Sequence, residues 1–139
     1  MFLTLAHYPE LQNRVKKVIA LTSILDMERQ IMDRPEDMKK MFISDYGLRE
    51  GVNEKNCVAL RNPLMTIPLL KPCLPILIIQ GTADNRVNLA EGEKMVRKLQ
   101  LHGNRVNYWE ISGGAHTLKN IPGFMDQMAG WLETPSPAC

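Results

Sequence analysis

A dominant charge of either sign is the first thing this chain lacks. Its 139 residues carry 17 Lys and Arg against 15 Asp and Glu, a formal net charge of +2. So small an imbalance argues against electrostatic binding of nucleic acid or of an anionic membrane surface, which call for a basic stripe rather than mixed signs. Long hydrophobic runs are also missing: the longest, Leu74 to Ile79, contains Pro75 and falls far short of the roughly 20 residues that a membrane span requires. Met1 to Pro9 has no basic n-region and no small-residue cleavage site, so no secretory signal is read and the default placement is cytoplasmic. Cysteine is scarce, and Cys57, Cys73 and Cys139 are odd in number, widely spaced and free of any C-x-x-C, which leads us to expect unpaired thiols suited to a reducing compartment. Histidine is limited to His7, His102 and His116 without an H-E-x-x-H or Cys/His cluster, so no metal site is expected and no cofactor is indicated.

What is present is ordinary globular sequence. A hydrophobic fraction of 45% with 23% charged residues excludes disorder and collagen-like repeats, and the length fits one domain. Phe2 to Arg14 reads as the end of a helix interrupted near Pro9, which can open a new turn but not sit in a helix interior. Val15 to Thr22 is a short apolar run without alternation, the pattern of a strand covered on both faces. From Asp26 to Cys57 the sequence turns charged and methionine-rich. Asp33-Arg34-Pro35-Glu36-Asp37 there marks a helix start, followed by Met38, Met41 and Phe42 at helical spacing, a stripe that implies packing.

The prolines at 63, 68, 72 and 75 make Asn62 to Pro75 a connection through which no helix is expected to continue. Ile76-Leu77-Ile78-Ile79-Gln80 is the strongest strand and ends at Gly81. An amphipathic helix from Leu89 to His102 follows, with Met95, Val96 and Leu99 on one face and Gly103 closing it. Val106 to Ile111 reads as a third strand. The last helix is expected from about Ile121, with Pro122 in its first turn and Phe124, Met125, Met128, Trp131 and Leu132 at three- and four-residue spacing. The alternation is that of an α/β fold with parallel strands, and in such sheets functional side chains gather at the strands' carboxyl ends.

Two residues stand there. Asp84 lies three residues past Gly81, and His116 five past Ile111 in the turn Ser112-Gly113-Gly114-Ala115-His116. An aspartate holding a histidine in one tautomer is the orienting half of a nucleophilic triad, although Gly81-Thr82-Ala83-Asp84-Asn85 is also good turn chemistry in its own right. Ile76 to Val87 resembles the strand and acid loop of α/β-hydrolases, and Ser112 to His116 is similar to the loop that supplies their histidine. Asp84-Asn85-Arg86-Val87 and the stretch from Val15 to Asp26 resemble the prolyl oligopeptidase type of serine peptidase most closely, with dienelactone-hydrolase-like and other carboxylesterases next. Asn88 and Ser112 depart from the prolines usual in these loops, and neither change removes a reacting group.

The resemblance implies a parallel three-stranded portion of an α/β-hydrolase sheet with flanking helices and a helical insertion. Residues 1–133 would form the C-terminal part of the catalytic domain and residues 134–139 a tail. It further implies peptide hydrolysis by acyl transfer with Asp84 and His116 as catalytic residues, acting on a peptide or small ester in the full-length form. The serine of such a triad sits on a G-x-S-x-G elbow, and no such motif occurs here: Ser23, Ser44, Ser112 and Ser136 all lack the context. Met1 to Ala6 looks like the helix that follows the elbow, which places the serine roughly four to six residues before Met1. The chain alone is then expected to be inactive, and the unpaired edge of the first strand becomes a surface for self-association. A non-catalytic α/β interaction module is the reading from another class.

Four further residues carry expectations of their own. Arg86 is read as tying down its own acid loop, with the clamping of a substrate carboxylate as the alternative, and Asp26 as capping the helix that follows it, with a place in the lining of the cleft as the alternative. His7 and His102 are read as surface residues, with His102 facing the negative end of a helix dipole.

Overall fold

The computed structural model describes residues 1–44, 54–118 and 120–135. Phe42, Ser44 and Cys57 lie in helices, but their side chains, like all of Ser136 and Cys139, fall outside what is described. Three segments form the sheet, the first two rich in aliphatic residues and the third mixing Val106 and Ile111 with aromatic and polar ones: β1 (Val18–Leu21), β2 (Pro75–Gly81) and β3 (Arg105–Ile111), in the order β1-β2-β3. Both pairings are parallel, with Val18 opposite Ile76 and Gly81 opposite Ile111. Ile76, Leu77, Ile78 and Ile79 are each 0% exposed, as a central parallel strand covered on both faces requires.

Alternation along the strands sorts the core into two layers. Val18, Ala20, Ile76 and Ile78 point to one face, where they meet Phe2 and Leu5 of α1 (Phe2–His7). Met95 and Leu99, from α5 (Leu89–Leu101), complete that layer. Leu77 and Ile79 point to the other face and meet Leu118 and Phe124, with Trp109, Ile111 and Trp131 packed around them. Phe124 and Trp131 belong to α6 (Phe124–Glu133). Burial of each such side chain contributes about 1.5–3 kcal/mol, so β2 is the energetic centre of the molecule.

Between β1 and β2 runs the helical insertion: α2 (Met27–Asp33), α3 (Pro35–Ser44) and α4 (Glu54–Arg61). Met27, Met38 and Val58 form its own small core, against which Met41 packs, so the methionine stripe is packing. Asp26 caps α2 by accepting from the Arg29 N–H at 3.3 Å.

Several boundaries differ from the sequence reading, for local physical reasons. β1 begins at Val18 rather than Val15, because Lys16 is exposed and Lys17 turns its ammonium away to the end of α6. Its Ile19 and Leu21 are only partly buried, so one face of β1 is more open than a doubly covered strand implies. The proline-rich connection does contain a helix, a 3-10 segment over Pro63–Leu69. Pro63 sits where its missing N–H has no intrahelical role. Bonds of the i to i+3 kind, such as Met65 N–H to the Asn62 carbonyl at 3.0 Å, bypass Pro68. α6 starts at Phe124, not Ile121, since Gly123 at φ +70° ends the preceding turn, and Met125 and Leu132 face solvent at 68% and 51% exposure. Cys73 is not a free thiol as expected: it is disulfide-bonded, and its partner lies outside the described side chains. Among the described residues no helix is long and apolar enough to cross a membrane.

Candidate functional site

Because Gly81 and Ile111 are paired, β2 and β3 release their loops side by side at the carboxyl edge of the sheet. The two loops then bind each other. Thr82 N–H donates to the Ile111 carbonyl at 3.0 Å and Ala83 N–H to the Gly114 carbonyl at 2.9 Å. The Thr82 hydroxyl oxygen accepts from Gly113 N–H at 2.8 Å. This approach is so close that a β-carbon on Gly81 would stand 2.0 Å from the Gly114 carbonyl oxygen, which is why glycine occupies the strand end. Gly113 adopts φ +68°, a left-handed conformation that turns the second loop back over the first.

The paired loops bring Asp84 and His116 together. Asp84 Oδ1 accepts from the backbone N–H groups of Arg86 at 2.8 Å and Val87 at 3.1 Å, and Oδ2 lies 2.9 Å from His116 Nδ1. The carboxylate is 0% exposed while the imidazole is 31% exposed. An ionised carboxylate can only accept, so Nδ1 carries the proton in this contact and the neutral ring leaves Nε2 as a proton acceptor. An imidazole held in that way can take a proton from a hydroxyl and be stabilised as imidazolium by the carboxylate behind it.

The other residues singled out in the sequence have different fates. Arg86 contributes to the acid loop through its backbone N–H and carbonyl, and its exposed guanidinium has no hydrogen bond or ion pair among the described residues. Among the described residues, the acid loop is held through the Arg86 backbone rather than its guanidinium. Asp26 does cap α2 as read, and its second oxygen also meets Lys94 Nζ at 2.5 Å. Burial works to raise the Asp26 pKa, but the Lys94 hydrogen bond, the Arg29 N–H and the Lys94 charge outweigh it, so the carboxyl sits below its usual range. His7 is exposed in the last turn of α1, and His102 ends α5 with Nδ1 3.1 Å from Asn104 Oδ1. Ser23 donates to the Leu21 carbonyl and Ser112 is exposed; no described serine is hydrogen-bonded to His116. Among the described residues no three His, Cys, Asp or Glu side chains gather as metal ligands.

Two buried polar residues close to the acid loop carry no motif. Glu91, in the first turn of α5, is 1% exposed and accepts from the N–H groups of Leu25 at 3.1 Å and Asp26 at 3.0 Å. Its desolvation outweighs these hydrogen bonds and raises its pKa above the usual glutamate value. Gln30 of α2, 0% exposed, donates to Glu91 and to the Arg86 carbonyl. The only available sequence signal was an acid near a helix start, which describes many surface helices equally well.

A cavity of about 720 Å³ lies elsewhere, at the amino edge of the sheet, between Arg14 to Lys17 and the end of α6. None of its lining residues belongs to the two loops that carry Asp84 and His116. The model of the prolyl oligopeptidase family matches residues 2–134. Comparison with curated proteins gives no match.

Proposed function

The chain belongs to the prolyl oligopeptidase family, and on that premise we propose that Asp84 and His116 are the acid and base of a serine hydrolase that cleaves peptide bonds by acyl transfer. The observation that carries this reading is the 2.9 Å contact from Asp84 Oδ2 to His116 Nδ1 at two adjoining strand ends. Nε2 takes the proton of a serine hydroxyl as its Oγ bonds to the scissile carbonyl carbon. The same proton then passes to the leaving nitrogen as the C–N bond breaks and an acyl-serine forms. A water molecule repeats the sequence on the ester and releases the carboxylate product. Asp84 stabilises the imidazolium in both halves without itself being protonated.

The nucleophile in this reading comes from a G-x-S-x-G elbow outside these 139 residues, since no such motif occurs within them. Support for its position comes from β1, which pairs only with β2 among the described residues and so has a free edge where a further parallel strand can add. Residues 1–133 are then the C-terminal part of the catalytic domain. The 139-residue chain is expected to give no hydrolysis of peptide anilides. A chain extended through the elbow is expected to hydrolyse them, with p-nitrophenyl esters as the comparison. Turnover of esters with none of anilides by the extended chain would contradict the peptidase assignment and favour an esterase.

A further inference from the structure

Gln30 is fully buried and spends both amide protons, one on the Arg86 carbonyl at 2.9 Å and one on Glu91 Oε1 at 2.5 Å. Its own carbonyl oxygen Oε1 is buried without a partner. An orphaned buried acceptor costs free energy, and an apolar side chain of the same length would fill the space without that cost. What the amide supplies in return is direction. The Arg86 carbonyl and the Val87 N–H belong to one peptide group: Gln30 donates to its oxygen while its N–H donates to Asp84 Oδ1 at 3.1 Å. Fixing the oxygen fixes the plane, and hydrogen bonds in series polarise one another. Glu91 holds the far end, since Oε2 is anchored by the Leu25 and Asp26 N–H groups and Oε1 faces Gln30.

We propose that Gln30, oriented by Glu91, is a positioning residue for the Asp84 carboxylate, so that the first helix of the insertion sets the geometry of the Asp84–His116 pair. This inference rests on the acyl-transfer reading of that pair. It assigns the insertion a part in the site beyond its own packing, through an unbroken line from Glu91 to Gln30, the 86–87 peptide, Asp84 and His116.

The test reads the pair directly in the 139-residue chain, by the low-field proton NMR resonance of His116 Nδ1–H at neutral pH. The wild-type chain is expected to show this resonance and Asp84→Asn to abolish it. Gln30→Met is expected to lose it or move it upfield. Ile76→Val, a core change away from the loops that also lowers the melting temperature, is expected to keep it. Should Gln30→Met not fold, Glu91→Gln, which preserves shape, is expected to move the resonance in the same direction. A resonance at the wild-type position in the Gln30 and Glu91 variants overturns the positioning role while leaving the pair intact. Equal loss in Ile76→Val reduces the role to general stability and overturns it as well. A resonance unaffected by Asp84→Asn overturns the underlying reading of the pair instead.

Discussion

Glycine at position 81 shows how much of the site depends on one missing β-carbon. With 2.0 Å to the Gly114 carbonyl oxygen, Gly81→Ala must push backbone against backbone, a cost of about 1–3 kcal/mol for overpacking with no side chain free to yield. The loops would separate and the Asp84–His116 contact would lengthen with them. A fall in melting temperature of several degrees is expected, together with loss of the His116 Nδ1–H resonance; an unchanged resonance would show that the loops are held by something else. Glu91 makes a prediction of opposite character. Its pKa is raised by burial above the ordinary value of 4.5, so in the range just above that value the folded chain binds more protons than the unfolded one. Stability therefore falls as pH rises through that range, and the contribution is complete only below it. Asp26, lowered from 3.8, behaves in reverse: its contribution is present above that value and is lost as pH falls. Urea midpoints between pH 4 and 7 are expected to show the Glu91 decline in the wild type and a flatter profile in Glu91→Gln. An identical slope in both would contradict the assignment. Glu91 also marks the limit of sequence reading. The meeting of Asp84 and His116 was legible because both were read in loops at the carboxyl ends of parallel strands. Glu91 was not, because its burial depends on segments far away in the chain, the Leu25–Asp26 turn and Gln30.

Among the elements, α6 has its carboxyl end held by a side chain from a distant segment. Lys17, just ahead of β1, donates to the carbonyls of Trp131 at 2.6 Å, Leu132 at 2.9 Å and Thr134 at 2.5 Å. Its ammonium also lies 4.9 Å from the centre of the Trp131 ring. Carbonyls at a helix carboxyl end have no intrahelical donors and concentrate negative potential, so one cation there satisfies several at once. Lys17→Met keeps the aliphatic stem and removes the charge. It is expected to cost about 1 kcal/mol, the contacts being partly solvated, and to raise hydrogen exchange in the last turn of α6. Exchange at the wild-type rate would show that packing of Phe124 and Trp131 holds the helix without the cap. The same lysine accounts for the shorter β1. The unalternating apolar run extended the strand back to Val15, but the backbone leaves the sheet where Lys17 has to reach across to α6. At the start of α6, Pro122 suggested an earlier helix, and the left-handed turn at Gly123 delays it.

On the scale of the whole molecule, a three-stranded parallel sheet with helices on both faces is what the order of elements implied, and the family match covers nearly all of it. The strands were legible because β2 is continuously apolar and its glycine end is abrupt. The disulfide at Cys73 was not, since an odd count of widely spaced cysteines argued for free thiols; its presence removes the argument for a reducing compartment. The central claim is that Asp84 and His116 serve a serine that the 139 residues do not contain. Fluorophosphonate labelling of a chain extended through an upstream G-x-S-x-G elbow tests it most directly. Covalent labelling of the elbow serine is expected, abolished by His116→Ala, reduced by orders of magnitude by Asp84→Asn, and absent from the 139-residue chain. Labelling of the extended chain that survives His116→Ala undiminished would contradict the claim.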